Sequence, residues 1–232
     1  MKNTGPKVGV DLGVQHLATI SDGAVFECSQ ALRIHERKIT RLQRSLSRKQ
    51  RGSHNQRKVK RTLQKLHARV ANVRKDAIHK VTTILTKTKS IVVIEDLNVN
   101  SMRQNHLLAK SVSDAGLYEF RRQLEYKTRW YGSELKVITR YFPSSKRCSK
   151  CGYVKKELPL SKRVFLCEQC GFRINRDLNA SYNLLSVAVS STETLNAWHE
   201  AGGYSSDGAV PVNDAGTEHR FSSCKFRGTE LL

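Results

Sequence analysis

Between Lys7 and Cys28 the apolar residues gather in three short runs, KVGVDLGV, HLATI and AVFEC, parted by turn-forming residues. Ser21-Asp22-Gly23 supplies hairpin chemistry between the second and third runs. Three tightly joined strands predict an antiparallel start to a sheet. From Ala31 to Lys89 the period changes. Val59, Leu63, Leu66, Val70, Val73 and Ala77 alternate spacings of four and three, the narrow seam of an amphipathic helix. Leu32, Ile39, Leu42 and Leu46 carry a second seam, and the polar break QRGSHNQ (Gln50–Gln56) joins the two into an antiparallel helical hairpin. IVVIEDL then returns to strand. SDAGLYEFRRQLEYKTRWYG predicts a helix with a Ser/Asp cap, apolar at Leu117, Phe120 and Leu124 and ended by Gly132. ELKVITRYF predicts a strand stopped by Pro143, and RDLNASYNLLSVAVS a final helix. Beyond about Ser190 periodicity fades into Gly, Ser, Asp and Thr, which predicts an extended or loose tail over residues 191–232. No internal repeat stands out.

Three antiparallel strands, a helical insertion, a fourth strand, a helix, a fifth strand and a closing helix is the order of an RNase H-like α/β fold. The expected core occupies residues 1–147 and 172–190. A helical hairpin is inserted at 31–89, and a separate small module at 148–171.

Composition sharpens this outline. The 232 residues are 38% hydrophobic and 26% charged, as in a soluble globular chain. The net charge of +21, with a pI near 10, exceeds what solubility requires and favours a polyanionic partner. An anionic membrane surface is the competing partner. Against it, no apolar run reaches the roughly 18 residues of a spanning helix, and MKNTGPKVGV lacks the apolar centre of a signal peptide. The expected location is therefore the cytosol or nucleoid, where thiols stay reduced. Most of the excess charge sits on the hairpin, because Glu36 and Asp76 are the only acids between Arg33 and Lys89. Arg41, Arg44, Arg48, Lys58, Lys60, Arg61 and Lys65 are the candidate nucleic-acid contacts. A merely solvated face is the bland alternative, and nearly unopposed cation over two helices argues against it.

Cys148, Cys151, Cys167 and Cys170 form two CxxC pairs with fifteen residues between them, each pair followed by glycine. This is the spacing of a four-thiolate structural zinc ribbon with no open coordination position. The module has few apolar residues of its own, so the metal is expected to hold it folded. Lys155, Lys156, Lys162 and Arg163 make it basic as well. Cys28 and Cys224 are left over as buried or tolerated thiols. His16, His67 and His79 lack ligand spacing and read as packing or phosphate-facing residues.

Three carboxylates stand at costly places. Asp11 interrupts VGVDLGV, Glu95 ends IVVIE, and Asp177 opens the last helix. Each has an ordinary role available. Asp11 can cap a turn toward Gly13, Glu95 can pair with an arginine, and Asp177 can cap its helix. Taken together they fit another pattern. In an RNase H-like sheet the first and fourth strands are neighbours and the last helix packs on them, so the three acids converge on hard cations such as Mg²⁺. Two such ions about 4 Å apart activate a water and stabilise the leaving 3′-oxygen of a phosphodiester. Strand alternation places Glu95 and the adjacent Asp96 on opposite faces, both apolar, and does not choose between them.

The segments VGVDLGVQHLATISDG, VVIEDLNV, YFPSSKRCSKCG…LCEQCG and NRDLNASYNLL resemble, in order and spacing, the TnpB/OrfB proteins of bacterial insertion sequences, relatives of the type V CRISPR nucleases. The resemblance covers most of residues 7–190. It implies a RuvC-like nuclease whose acids are Asp11, Glu95 and Asp177, with Asp96 left as a cap or supporting partner, and a zinc ribbon on the four cysteines. It implies an RNA-guided DNA endonuclease of a transposon, with guide RNA and target DNA as partners and the basic hairpin on the heteroduplex backbone. Ser181 stands where the family often has alanine. Family members carry a substantial N-terminal half, whereas here the first nuclease strand starts within seven residues of Met1. The expectation is a nuclease half working with a partner chain or as a homodimer. A non-catalytic guide-RNA or DNA-binding subunit is the second reading, and a strand-joining transposase the third.

Overall fold

The computed structural model describes residues 2–159 and 161–189. The tail expected over 191–232, with Cys224, lies outside the described residues. Strands β1 (Lys7–Leu12), β2 (His16–Ile20), β3 (Val25–Glu27), β4 (Ile91–Glu95) and β5 (Glu134–Ile138) form one sheet in the order β3-β2-β1-β4-β5. The β1–β2 and β2–β3 pairs are antiparallel, and the β1–β4 and β4–β5 pairs are parallel. In the predicted hairpin turn the Gly23 N–H donates to the Ile20 carbonyl at 2.9 Å, with Gly23 at φ +90°. The Asp22 carboxylate accepts from the Ala24 N–H.

Alternation along the strands sorts the core into two faces. Val8, Val10, Val92 and Ile94 pack with Ile78, Val81 and Leu85 of α2 (His54–Thr88) and with Leu117, Phe120 and Leu124 of α5 (Leu117–Tyr131). Val93 packs on the opposite side with Leu184 and Ala188 of α6 (Arg176–Val189). Burial on both faces explains why IVVI is an unbroken apolar run rather than an alternating one. Among the described residues no helix is long and apolar enough to cross a membrane.

The hairpin consists of α1 (Ala31–Ser47) and α2, the latter capped by Ser53, whose hydroxyl accepts from the Gln56 N–H. Ile39, Leu66 and Val70 form its small core, flanked by Leu32, Leu42 and Leu63. Val73, expected in the same seam, is instead 42% exposed. Near that point the apolar face of α2 leaves α1, and Ile78 onward turns to the sheet. Where α2 meets α5, the ammonium of buried Lys127 donates to the His79 carbonyl and to the Thr82 and Thr83 hydroxyls at 2.7–2.9 Å. Burial lowers its pKa against a smaller opposing pull from the Glu119 carboxylate, while these hydrogen bonds all go to neutral oxygens.

Two expected elements differ. The helix over SDAGLYEFRRQLEYKTRWYG is two helices, α4 (Ala109–Ala115) and α5, separated at Gly116 with φ +70°, and α3 (Val99–Gln104) precedes them. Asp114 does not cap α5. Its carboxylate accepts from the Leu32 and Arg33 N–H groups at the start of α1, where Gln30 offers no side-chain cap. The strand over ELKVITRYF ends at Ile138, which pairs with Glu95 at the end of β4 and accepts from the Asp96 N–H at 2.8 Å.

The tightest approach in the described core is at Gly9 of β1. A Cβ there would lie 2.0 Å from the Ser181 carbonyl oxygen and 2.7 Å from the Leu185 nitrogen of α6. Both obstacles are backbone, so neither can swing aside. Gly9→Ala is therefore expected to cost at least the upper end of the ~1–3 kcal/mol typical of overpacked cores. A urea melt checks this, and an unchanged midpoint would refute the close contact.

Candidate active site and metal centre

The parallel β1–β4 register, with Val10 beside Ile94, brings Asp11 and Glu95 to neighbouring positions at the carboxyl ends of two adjacent strands. Asp11 follows Val10 and shares the α6 face with Gly9. Glu95 shares that face with Val93. The contact at Gly9 seats α6 directly against β1, and Asp177 lies one helical turn before Ser181. Ser181 is fully buried, and its hydroxyl turns back to donate to the Leu178 carbonyl at 2.8 Å. A serine thus fills the place of an alanine without exposing an unsatisfied group.

Two of the acids act on the third. Asp11 has its carboxyl pushed well above the usual range, first by burial and then by the negative charges of Asp177 and Glu95, against a smaller pull from Arg176. Glu95 is also raised by burial, partly offset by the Ser144 hydroxyl, which donates to its Oε2 at 2.9 Å. Helix capping falls to Asn175 rather than Asp177: the Asn175 Oδ1 accepts from the Asp177 and Leu178 N–H groups at 2.9 and 3.2 Å. A buried carboxyl pressed by two neighbouring acids suits a hard divalent cation, which would favour the ionised form of Asp11. Their oxygens do not gather into a single tight cluster within 4.8 Å.

Alternation and charge separate Glu95 from its neighbour. Asp96 turns to Arg121 of α5 and to Arg140, both of which donate to its carboxylate, and these bonds hold its pKa below the usual value. The arginine pairing that was open to Glu95 thus belongs to Asp96. A cleft of about 680 Å³ lies beside the end of β4 on its α5 side, lined by Ile94, Glu95, Leu117, Tyr118, Arg121 and Arg140.

The four cysteines converge. Cys148 and Cys170 have their sulfurs 3.8 Å apart and Cys151 and Cys167 theirs 3.5 Å apart, and all four lie within 4.8 Å of one another. A tetrahedral site with metal–sulfur bonds near 2.3 Å needs sulfurs roughly 3.8 Å apart, so the donor set fits zinc. The two knuckles repeat one pattern. The Gly152 N–H donates to the Cys148 carbonyl and the Gly171 N–H to the Cys167 carbonyl, with both glycines at positive φ. Strands β6 (Val164–Leu166) and β7 (Arg173–Asn175) complete the module, whose core is little more than Phe165 and Leu158.

The sequence reading missed the asparagines that tie this module to the acids. Asn179 and Asn183 of α6 are buried, and their amides donate to the Arg147 carbonyl. Asn183 also donates to the Ser144 carbonyl, and Asn179 accepts from the Ser149 N–H. Three asparagines in NRDLNASYN were the available signal, since asparagine is a poor interior helix former unless its side chain is occupied. The proposed nucleic-acid contacts Arg41, Arg44, Arg48, Lys58, Lys60, Arg61 and Lys65 are all exposed on the hairpin, away from this site.

The sheet, its covering helices and the cysteine cluster define an α/β protein with a four-cysteine site suited to zinc. The family model OrfB_IS605, described as "Probable transposase", matches residues 1–106, and the model for the Cas12f1-like TNB domain matches residues 118–184. A Streptomyces pristinaespiralis protein named "Putative RNA-guided DNA endonuclease" is 41% identical over 82% of this chain and 47% of its own. Escherichia coli K12 InsQ, under the same description, is 42% identical over 78% of this chain and 48% of its own. The chain thus spans about half the length of these relatives. A solved structure described as "Cryo-EM structure of the Cas12f1-sgRNA-target DNA complex" shares the fold, with a TM-score of 0.56 and 20% identity over 80% of this chain and 51% of that one. The chain belongs to the TnpB family of transposon-encoded proteins.

Two outcomes are expected. In metal-free buffer at neutral pH, Asp11→Asn raises the melting temperature, because it removes a buried charge that two other acids oppose. A raised carboxyl pKa penalises the fold above the folded-state value and not below the unfolded value near 3.9. The gain should therefore fade as pH falls to about 4, and a gain that persists unchanged there would refute the charge explanation. Separately, the purified protein should carry zinc by elemental mass spectrometry, and Cys167→Ser should lose it together with protease resistance around residues 148–175.

Proposed function

We propose that this chain is the nuclease half of an RNA-guided DNA endonuclease, with a RuvC-type, RNase H-like core that hydrolyses DNA phosphodiesters with Mg²⁺. The placing of Asp11, Glu95 and Asp177 on β1, β4 and α6, close enough that the charges of the other two press on buried Asp11, carries this reading. The strand order β3-β2-β1-β4-β5 and the names of the relatives support it. In this reading residues 1–147 and 172–190 are the core, 31–89 the basic hairpin and 148–171 the zinc ribbon.

Asp11, Glu95 and Asp177 would hold two catalytic ions, which would activate water and stabilise the leaving oxygen. The other residues prepare the ground. Ser144 orients Glu95 through its hydroxyl, and Asn183 holds Ser144 through its carbonyl. Arg121 and Arg140 neutralise Asp96, which keeps a fourth negative charge from repelling a phosphate at the mouth of the cleft. The hairpin cations Arg41, Arg44, Arg48, Lys58, Lys60, Arg61 and Lys65 bind the backbone of a guide–target heteroduplex. Guide RNA and target DNA are the partners, and a second chain or a second copy completes the effector. The cytoplasm, at the nucleoid, is where such a protein meets its target.

The test is cleavage of guide-matched DNA with Mg²⁺, with guide RNA and the N-terminal half of a relative supplied. Cleavage should fall by at least ~10³-fold in Asp11→Ala and Glu95→Ala, the scale on which essential electrostatic groups act, while RNA binding persists. Asp96→Asn should retain measurable cleavage. A wild-type chain that binds RNA yet never cuts under these conditions would be a non-catalytic subunit.

A further inference from the structure

Strand β5 ends at Ile138 and the first cysteine is Cys148. Between them the chain closes one tight turn, in which the Lys146 and Arg147 N–H groups both donate to the Pro143 carbonyl at 3.1 and 2.9 Å. At the start of the turn the buried Ser144 hydroxyl donates to Glu95 Oε2 at 2.9 Å. Its end already belongs to the cysteine module. The Lys146 carbonyl accepts from the Lys155 N–H, and the Cys148 N–H donates to the Tyr153 carbonyl. Asn183 of α6 joins the two ends, with its amide donating to the Ser144 carbonyl at 2.8 Å and to the Arg147 carbonyl at 2.6 Å. One helical turn earlier, Asn179 donates to the same Arg147 carbonyl and accepts from the Ser149 N–H. Asn183 is only 2% exposed, so an amide that lost these partners would stay unmet.

We propose that Asn183 and Ser144 are positioning residues that couple the fold of the cysteine module to the carboxylate of Glu95. Neither touches the reacting atoms. The module has a core of little more than Phe165 and Leu158, so a metal on its cysteines is what keeps it closed. While it is closed, residues 146–148 are held on the module side and by Asn183 on the α6 side, and the turn keeps the Ser144 hydroxyl on Oε2. When it opens, the turn loses one of its two anchors and Glu95 loses a fixed partner. Hydrogen bonds of this kind orient metal-binding carboxylates. The consequence for ion binding at the acids rests on the nuclease reading, and the link itself does not.

Carboxyl-labelled glutamate, followed by NMR at one neutral pH without divalent ions at the acids, tests the link independently of cleavage. Glu95→Gln assigns the Glu95 resonance, and Glu119 and Glu125 of α5 serve as folding controls. Ser144→Ala should shift the Glu95 resonance, and Cys167→Ser, which takes a ligand from the module, should shift it in the same direction. In the double variant the two shifts should not add, because both act through one hydroxyl. Asn183→Leu should shift it while the zinc content is kept. Mn²⁺ then probes the site: the binding that requires Glu95 should weaken about tenfold in each single variant and no further in the double. Additive shifts, a Glu95 resonance that ignores either Ser144→Ala or Cys167→Ser, or control resonances that move with it overturn the proposal. If Asn183→Leu does not fold, the other two variants decide. A chain that binds no Mn²⁺ and never cuts DNA, yet shows non-additive shifts, keeps the link and loses the nuclease reading. Cleavage with an unmoved Glu95 resonance does the reverse.

Discussion

The site depends on a contact in which no side chain takes part. At Gly9 the backbone of β1 and that of α6 come closer than any Cβ allows. This approach sets the height of α6 above the sheet, and with it the distance of Asp177 from Asp11. A sheet–helix spacing set by ordinary side chains would leave room for solvent between the carboxylates. Here Asp11 is buried at the contact, and the negative charges of Asp177 and Glu95 press on it. The fold holds this strain with satisfied hydrogen bonds elsewhere on α6, from Asn175 at its start to Asn183 in its middle.

Charge is partitioned with similar economy. The chain is strongly cationic, yet the arginines nearest the acids are turned away from Glu95. Arg121 and Arg140 meet Asp96, and Arg122 meets Glu119. An arginine on Glu95 would compete with a metal ion for the same oxygens. Because Asp96 follows Glu95 directly, the chain places an arginine-paired carboxylate on the α5 face of the strand and leaves Glu95, bonded to the Ser144 hydroxyl, on the α6 face. The cations of the hairpin are too far along α2 to interfere.

Much of this was legible in the sequence, for identifiable reasons. The CxxC pairs and their glycines were plain because tetrahedral thiolate coordination restricts both spacing and backbone conformation. The strand IVVI and the amphipathic hairpin were plain because burial imposes a period. Glu95 and Asp96 could not be separated by period alone, since both faces of β4 are apolar and the arginines that claim Asp96 come from distant segments. Asp114 was misread as a local cap because its real partners, the Leu32 and Arg33 N–H groups, are some eighty residues away in sequence. Val73 was misassigned because a helix that changes partner along its length keeps its period while its packing surface rotates. The segment read as one helix is two because Gly116 inside it takes positive φ and separates them.

The length of α2 has a mechanical meaning. Its 35 residues run without a break from the hairpin tip to the sheet, a rod of about 50 Å at helical rise. One end is clamped in the main core by Ile78, Val81 and Leu85, and the other projects with α1 as its only described companion. A cantilever of this kind transmits angle without a joint. Any load on its outer cations is delivered as torque at the clamp, where α2 meets α5 through Lys127 and Thr82. The buried ammonium, bonded only to neutral oxygens, then sits at the fulcrum of the molecule.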